Sequence, residues 1–341
     1  MKKHFFTALK LIIFIGLGIF LIWLFLHKLT PDEKKKIFDS YEGVKWGWIV
    51  LAGIIGLISH YFRTIRWNML LGAMGYRPSF LNSFMAVMIG YFANMALPRL
   101  GEVIRCSILN KYDKIPINKS FGTVVVERAL DVFVFLFLFL LTIVFQFRLL
   151  KDYAYNTVYI PLVNKFSGVF SFSTVIITLL IIIILTILFL FVLRKRIAHL
   201  KIYIKIAEII KGFWHGLKSI ALVKSPLLFI FYSLMIWVCY LVTAYVAFFA
   251  IKGTAGLGFD AALASLSFGT ISYMVIQGGI GLYPIIISET LSLYSIDKLI
   301  GYGFGWLAWS LQAIEIIIGG LLSLIILPVI NKKNDAVSEK S

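Results

Sequence analysis

Three uninterrupted apolar runs decide most of what this chain can become. Residues 11–26, 132–147 and 175–193 contain no charged side chain. About 20 apolar residues at helical rise cover the roughly 30 Å hydrocarbon core of a bilayer. The runs are continuous, where an outer-membrane barrel strand would alternate every second residue. The spans are therefore helices. The rest of the composition agrees, with 60% hydrophobic and 14% charged residues. Soluble domains carry about 45–50% apolar and about 25% charged residues. A soluble enzyme, a disordered tail and a secreted disulfide scaffold are excluded, and the fold class is an all-α polytopic membrane protein.

Six segments are long enough to span: 5–27, 46–66, 121–147, 170–193, 227–251 and 302–328. Two further apolar regions are interrupted. Region 80–110 breaks at Leu97-Pro98-Arg99-Leu100-Gly101-Glu102, and region 260–297 at Gln277-Gly278-Gly279-Ile280-Gly281-Leu282-Tyr283-Pro284. Proline and glycine interrupt a helix at such points. Both regions are read as re-entrant helical hairpins, with two kinked ordinary spans as the alternative. The transmembrane domain covers 1–330, and 331–341 form a short polar tail.

The balance of 33 Lys and Arg against 16 Asp and Glu, a net +17, reflects inner-leaflet orientation and anionic lipid rather than nucleic acid. Segment 194–224 carries eight basic residues against the single acid Glu208, so it is cytoplasmic. Re-entrant hairpins then put both termini in the cytoplasm and make the two hairpins enter from opposite faces. The loop 28–45 is left outside despite its five lysines. The N-terminal Met1-Lys2-Lys3-His4 resembles the start of a signal peptide. The apolar run that follows ends in His27-Lys28-Leu29-Thr30-Pro31 without a small-x-small cleavage site, so it is an uncleaved span. Segment 201–220 has an isoleucine-rich stripe opposite Lys201, Lys205 and Lys218, which suits an amphipathic helix on the inner leaflet.

Ionisable residues inside a bilayer cost about 2.5–3.5 kcal/mol each on insertion scales, so they need partners or a task. Three groups stand out. Arg63 and Arg66, three apart on one helix face, are placed to grip a phosphate or to snorkel. Asn94, Pro98, Arg99, Glu102 and Arg105 surround the first break. Arg99, Glu102 and Arg105 stack plus, minus, plus at spacings of three and form a gate. Glu127, Arg128 and Asp131 lie in the third span, with Asp131 about 15 Å beyond Phe121 at helical rise. They hold the gate, or lock this span to it. The second break offers Gln277, Gly278, Gly279 and Gly281, then Glu289. Gln312 and Glu315 are polar candidates in the last span, whose glycines serve close packing. Cys106 and Cys239 show no disulfide or zinc pattern, and the five histidines are scattered. With no nucleotide-binding loop, no cofactor is expected.

The stretches RTIRWNMLLGAMGY, GYFANMALPRLGEVIRCSILNK and SFGTVVVERALDV, with the later QGGIGLYP and the final tryptophan-rich span, are spread from Arg63 to the last span. R-x-x-R-W and E-R-x-x-D are the compact motifs among them. Together they resemble the transmembrane region of lysylphosphatidylglycerol synthases and the related stand-alone flippase-like proteins. Gln277 stands where that resemblance leads one to look for a proline. It implies translocation of an anionic or modified phospholipid, or a lipid-linked headgroup, between leaflets. The chain ends soon after its last span, so the aminoacyl-transferase domain is expected to be absent. A bacterial inner-membrane lipid translocase follows as the expected function. The alternatives are an ion- or proton-coupled carrier of a small anion, a lipid-modifying enzyme and a scaffold subunit. A homo-oligomer is allowed.

Overall fold

The computed structural model describes residues 19–20, 22–27, 29–97, 99–161, 181 and 223–338. Most of the first span, almost all of 170–193, the amphipathic segment 201–220 and Pro98 lie outside the described residues. What is described is helical, with no strand: the protein is an all-α polytopic membrane protein. Its helices are α1 (Pro31–Asp39), α2 (Trp46–Ala73), α3 (Phe80–Ala96), α4 (Leu100–Asp113), α5 (Ile117–Phe145), α6 (Phe147–Ala154), α7 (Pro226–Phe248), α8 (Phe259–Val275), α9 (Leu282–Ser292) and α10 (Lys298–Ser338). Among the described residues α2, α5, α7 and α10 are long and apolar enough to cross a membrane.

Helix α2 shows why water is not its solvent. Its buried positions recur every three to four residues, and they include His60, Arg63, Thr64 and Arg66. Val50, Leu51, Ile54, Leu57, Ile58 and Tyr61 point outward. A soluble helix buries its apolar stripe. Here the polar stripe is inside and the apolar one faces the lipid. The helix runs past the expected end at 66, because Trp67, Leu70 and Leu71 pack in the core. It stops at Gly75, whose φ of 87° suits a helix-ending glycine.

Each interrupted region folds as a pair of helices lying against each other. At the first break Leu97 is extended, as a residue before proline must be. Arg99 then takes a left-handed conformation before α4 starts. The two arms touch backbone to backbone: a Cβ on Gly101 would collide with the Gly90 carbonyl. At the second break Gly278, Gly279 and Gly281 all have positive φ, around the 3-10 turn Gln277–Gly279. Nothing lies within 4 Å of a Cβ built on Gly278, whereas one on Gly279 presses on the Tyr273 ring at 3.0 Å. The glycine at 278 thus serves the backbone angle and not a close approach. Gly278→Ala is expected to cost about 1–2 kcal/mol through the left-handed backbone alone. Gly279→Ala should cost more because it adds the Tyr273 contact. Unfolding of the two variants in detergent checks this order, and the reverse order would refute it.

The hairpins open toward opposite faces. The feet of α3 and α4 meet where the Ser79 amide and the Asn82 side chain donate to Asp113. Asn82 also pairs with Asn331 near the far end of α10. The feet of α8 and α9 sit at the other end of α5, where Gln146 Nε2 donates to the Asp260 carbonyl. On that face Lys36 Nζ lies 2.7 Å from Asp297 Oδ2, tying α1 to the start of α10. Helix α10 holds both hairpins. Gly301 and Gly305 let it approach Ser288 and Pro284 of α9, and Gly319 and Gly320 admit Met88 and Phe92 of α3. Small residues give such close packing in membranes. This helix continues through Ser338, into the segment read as a polar tail, since residues 332–338 contain neither glycine nor proline.

The stretch 28–45, read as a loop, contains α1. Thr30 caps it, Pro31 occupies its first turn, and Glu33 closes a capping box with Thr30. The hydrogen bond from Lys36 holds the Asp297 carboxyl below the usual aspartate range. A depressed carboxylate contributes stability above its unfolded value, about 3.9, and loses it as pH falls through the lower native value. Asp297→Asn is therefore expected to lower stability near neutrality by less than about 1 kcal/mol, because the pair is largely exposed. The difference between variant and wild type should vanish in strong acid. A penalty that persists at low pH would contradict this.

Candidate functional site

The charged residues of α2, α4 and α5 converge in one buried network. Asp131 accepts from Arg63 Nη1 through Oδ2 and from Arg66 Nη1 through Oδ1, both at 2.7 Å. Arg66 Nη2 lies 3.5 Å from Glu127 Oε1, and Arg105 Nη2 donates to Glu127 Oε2 at 2.6 Å. Arg66 and Glu127 are fully buried, and Arg63, Arg105 and Asp131 nearly so. Arg63 also donates to the Tyr240 hydroxyl at 3.2 Å, and the Arg105 guanidinium lies 4.5 Å over the Trp67 ring. The indole of Trp67 donates in turn to Thr123. Helical spacing explains the alignment. Arg63 and Arg66 share one side of α2, and Glu127 and Asp131, one turn apart, share the facing side of α5.

Arg63 and Arg66, read as gripping a phosphate or snorkelling to the interface, are instead buried and hold the carboxylates of α5. The proposed stacking along Arg99, Glu102 and Arg105 is also replaced by pairing across to α5. Arg105 goes to Glu127, while Glu102 Oε1 takes Arg128 Nη2 at 2.7 Å. Arg99 is exposed beside the break. Asn94 links the arms of the first hairpin, accepting from the Gly101 amide and donating to Glu102.

A cavity of about 340 Å³ lies beside this network. Arg63, Arg128, Asp131, Gln312 and Glu315 line it, with residues that the sequence did not single out: His60, Tyr91, Trp237, Tyr240, Tyr273 and Tyr283. Val132 of α5 and Met274 near the tip of α8 belong to its wall and are 47% and 57% exposed, which marks them as its accessible rim. Arg128 and Tyr91 also border a small recess along the first hairpin, beside Asn94, Glu102 and Arg105. The Arg128 side chain is 45% exposed, unlike the buried arginines.

The second hairpin contributes its tip. Gln277–Gly279 lies against α3, the first arm of the other hairpin. The Gly278 carbonyl accepts from Trp309 Nε1 at 2.7 Å, and Tyr273 donates to Gln312 at 2.5 Å. Gly281 starts α9 with a φ of 74°. Glu289 is elsewhere: it pairs with Lys298 at 2.7 Å near the far face and does not line the cavity. Its position two turns along α9 carries it away from the break.

The profile of the lysylphosphatidylglycerol synthase TM region matches residues 8–303. The chain belongs to that family. A UPF0104 membrane protein of Methanocaldococcus jannaschii is similar as well, 34% identical over 90 residues. That match takes in 26% of this chain and 27% of the relative, so only about a quarter of the curated relative's length is matched. No solved structure shows significant similarity to the chain. Family membership and the apolar helices agree on a multi-pass membrane protein.

Proposed function

We propose that this member of the family is a lipid translocase that passes an anionic phospholipid or lipid-linked headgroup between leaflets, without covalent chemistry. The observation that carries this reading is the position of Arg128. It is a half-exposed guanidinium paired to Glu102, bordering both the central cavity and the recess of the first hairpin. A phosphate entering the cavity exchanges for Glu102 on Arg128, which is a bidentate phosphate ligand by geometry. The Arg63–Asp131–Arg66–Glu127–Arg105 chain keeps the surrounding helices fixed and gives the wall a polar lining. The rim at Val132 and Met274 supports a lipid over a free solute, since acyl chains can stay in the membrane while the headgroup is inside. Breaks from opposite faces suit access from either leaflet. In this reading the protein sits in a bacterial inner membrane with both termini cytoplasmic, as its basic segment 194–224 favours.

The test is leaflet exchange of headgroup-labelled phosphatidylglycerol in proteoliposomes, read with a membrane-impermeant quencher. Fast exchange with wild type supports translocation. Absence of exchange with several anionic headgroups, or saturable uptake of a small anion into the same vesicles, would overturn it in favour of a solute carrier.

A further inference from the structure

His60 of α2 and Glu315 of α10 face each other in the cavity wall. His60 Nε2 lies 3.4 Å from Glu315 Oε1. His60 is 5% exposed, and the Glu315 side chain is 10% exposed. Neither His60 Nδ1 nor Glu315 Oε1 has a hydrogen-bond partner among the described residues. Gly56, one turn before His60, makes room for the carboxylate, because a Cβ there would collide with Glu315 Oε2. The pair is built into the cavity and lacks the guanidinium partner that every carboxylate of the central network has.

The charges of that network do not cancel. Arg63, Arg66, Arg105 and Arg128 face three carboxylates, Glu102, Glu127 and Asp131, which leaves one positive charge in excess. Glu315 is the one further carboxylate in the cavity wall that can balance it. A singly charged phosphodiester entering this interior would then add an uncompensated buried charge, which is costly. One proton taken up by the His60–Glu315 pair removes that cost. Glu102 is the rival acceptor, since it loses Arg128 when the headgroup enters and keeps only the Asn94 amide at 3.4 Å; proton uptake that persists in Glu315→Gln would assign the proton to it and overturn the pair. The remaining titratable groups around the cavity do not offer the same service. Arg63 on α2 and Arg128 and Asp131 on α5 are held in ion pairs. Tyr91 on α3, Tyr240 on α7, Tyr273 on α8 and Tyr283 on α9 are phenols, a class that is neutral at physiological pH.

We propose that His60 and Glu315 form a proton-binding pair that takes up one proton when an anionic headgroup enters the cavity and releases it to water when the headgroup leaves. This rests on the translocase reading and adds its coupling ion. Because binding and protonation are linked, each changes the other by the same factor.

Calorimetric titration of the purified full chain in neutral detergent with dihexanoyl phosphatidylglycerol tests the pair, using buffers of different ionisation enthalpy. Wild type should take up one proton per lipid bound. Its Kd should weaken by about tenfold per pH unit over part of the range from about pH 5 to 8, where an imidazole changes charge. Glu315→Gln, which imitates the protonated carboxyl, should bind with a nearly constant Kd and no proton uptake. His60→Gln should displace the dependence along the pH axis. Wild-type binding with a flat Kd and no proton uptake would overturn the pair and leave translocation standing. Proton-linked binding without leaflet exchange in proteoliposomes would support the pair and overturn translocation. Absence of any binding would overturn both. The wild-type titration decides the matter even where a variant does not fold.

Discussion

Asp131→Asn is expected to destabilise the folded protein by about 3–5 kcal/mol, the usual consequence of stranding a buried charge. Arg63 and Arg66 both lose the negative charge 2.7 Å away, and one of them meets the amide NH2 in place of an oxygen; Arg66 is fully buried. Arg63 borders the cavity and keeps the Tyr240 hydroxyl, but Arg66 is walled off, and its remaining acceptor, Glu127, is 3.5 Å away and already holds Arg105. Equilibrium unfolding in mixed detergent micelles measures the change. A second substitution, Arg63→Met, should recover part of the loss, because removing both members of a buried pair costs less than removing one. Glu289→Gln supplies the contrast. Its partner Lys298 is exposed, so the expected change is under about 1 kcal/mol. Similar small changes for Asp131 and Glu289 would contradict the network as described.

Arg128→Gln is expected to separate transport from folding. The guanidinium is open to the cavity and has a single carboxylate partner, Glu102, so its removal should destabilise far less than loss of Asp131, which holds two arginines. Glu102 keeps the Asn94 amide at 3.4 Å when Arg128 is gone. Headgroup exchange should nevertheless slow by roughly tenfold or more, the effect of losing one charge-assisted hydrogen bond of about 1.5–3 kcal/mol to the phosphate. Exchange rates and unfolding transitions measured on the same preparation decide it. An unchanged rate in a folded variant would remove Arg128 from the pathway.

The helices were legible because the bilayer imposes length and apolarity on them. Both breaks were legible for a similarly local reason: Leu97-Pro98 and the glycines 278, 279 and 281 restrict or free φ within a few residues. The clustering of charges in α2, α4 and α5 could also be read from spacing. Which charge meets which could not. The partners are 22 to 68 residues apart, and the pairing depends on how each helix is rotated against its neighbours. A ladder within one helix is the solution that local spacing suggests, and the structure pairs these charges between helices instead. His60 was passed over as one of five scattered histidines. Its position three residues before Arg63 and four after Gly56 places it on the same face as both, and that was the available signal. Tyr91, Tyr240 and Tyr273 carried none, since aromatic residues in an apolar run look the same whether they face lipid or a cavity. Helix α1 is spelled locally by Thr30, Pro31 and Glu33, but its nine mostly polar residues leave no mark on the apolar pattern from which the spans are read.

The most direct test of the central claim is a cryo-electron microscopy structure of the protein in nanodiscs rich in phosphatidylglycerol. The account predicts a lipid phosphate within about 3 Å of the Arg128 guanidinium, Glu102 displaced from it, and acyl density leaving past Val132 and Met274. A cavity filled by an acyl chain, with the Arg128–Glu102 pair intact and phosphates confined to the two surfaces, would contradict it.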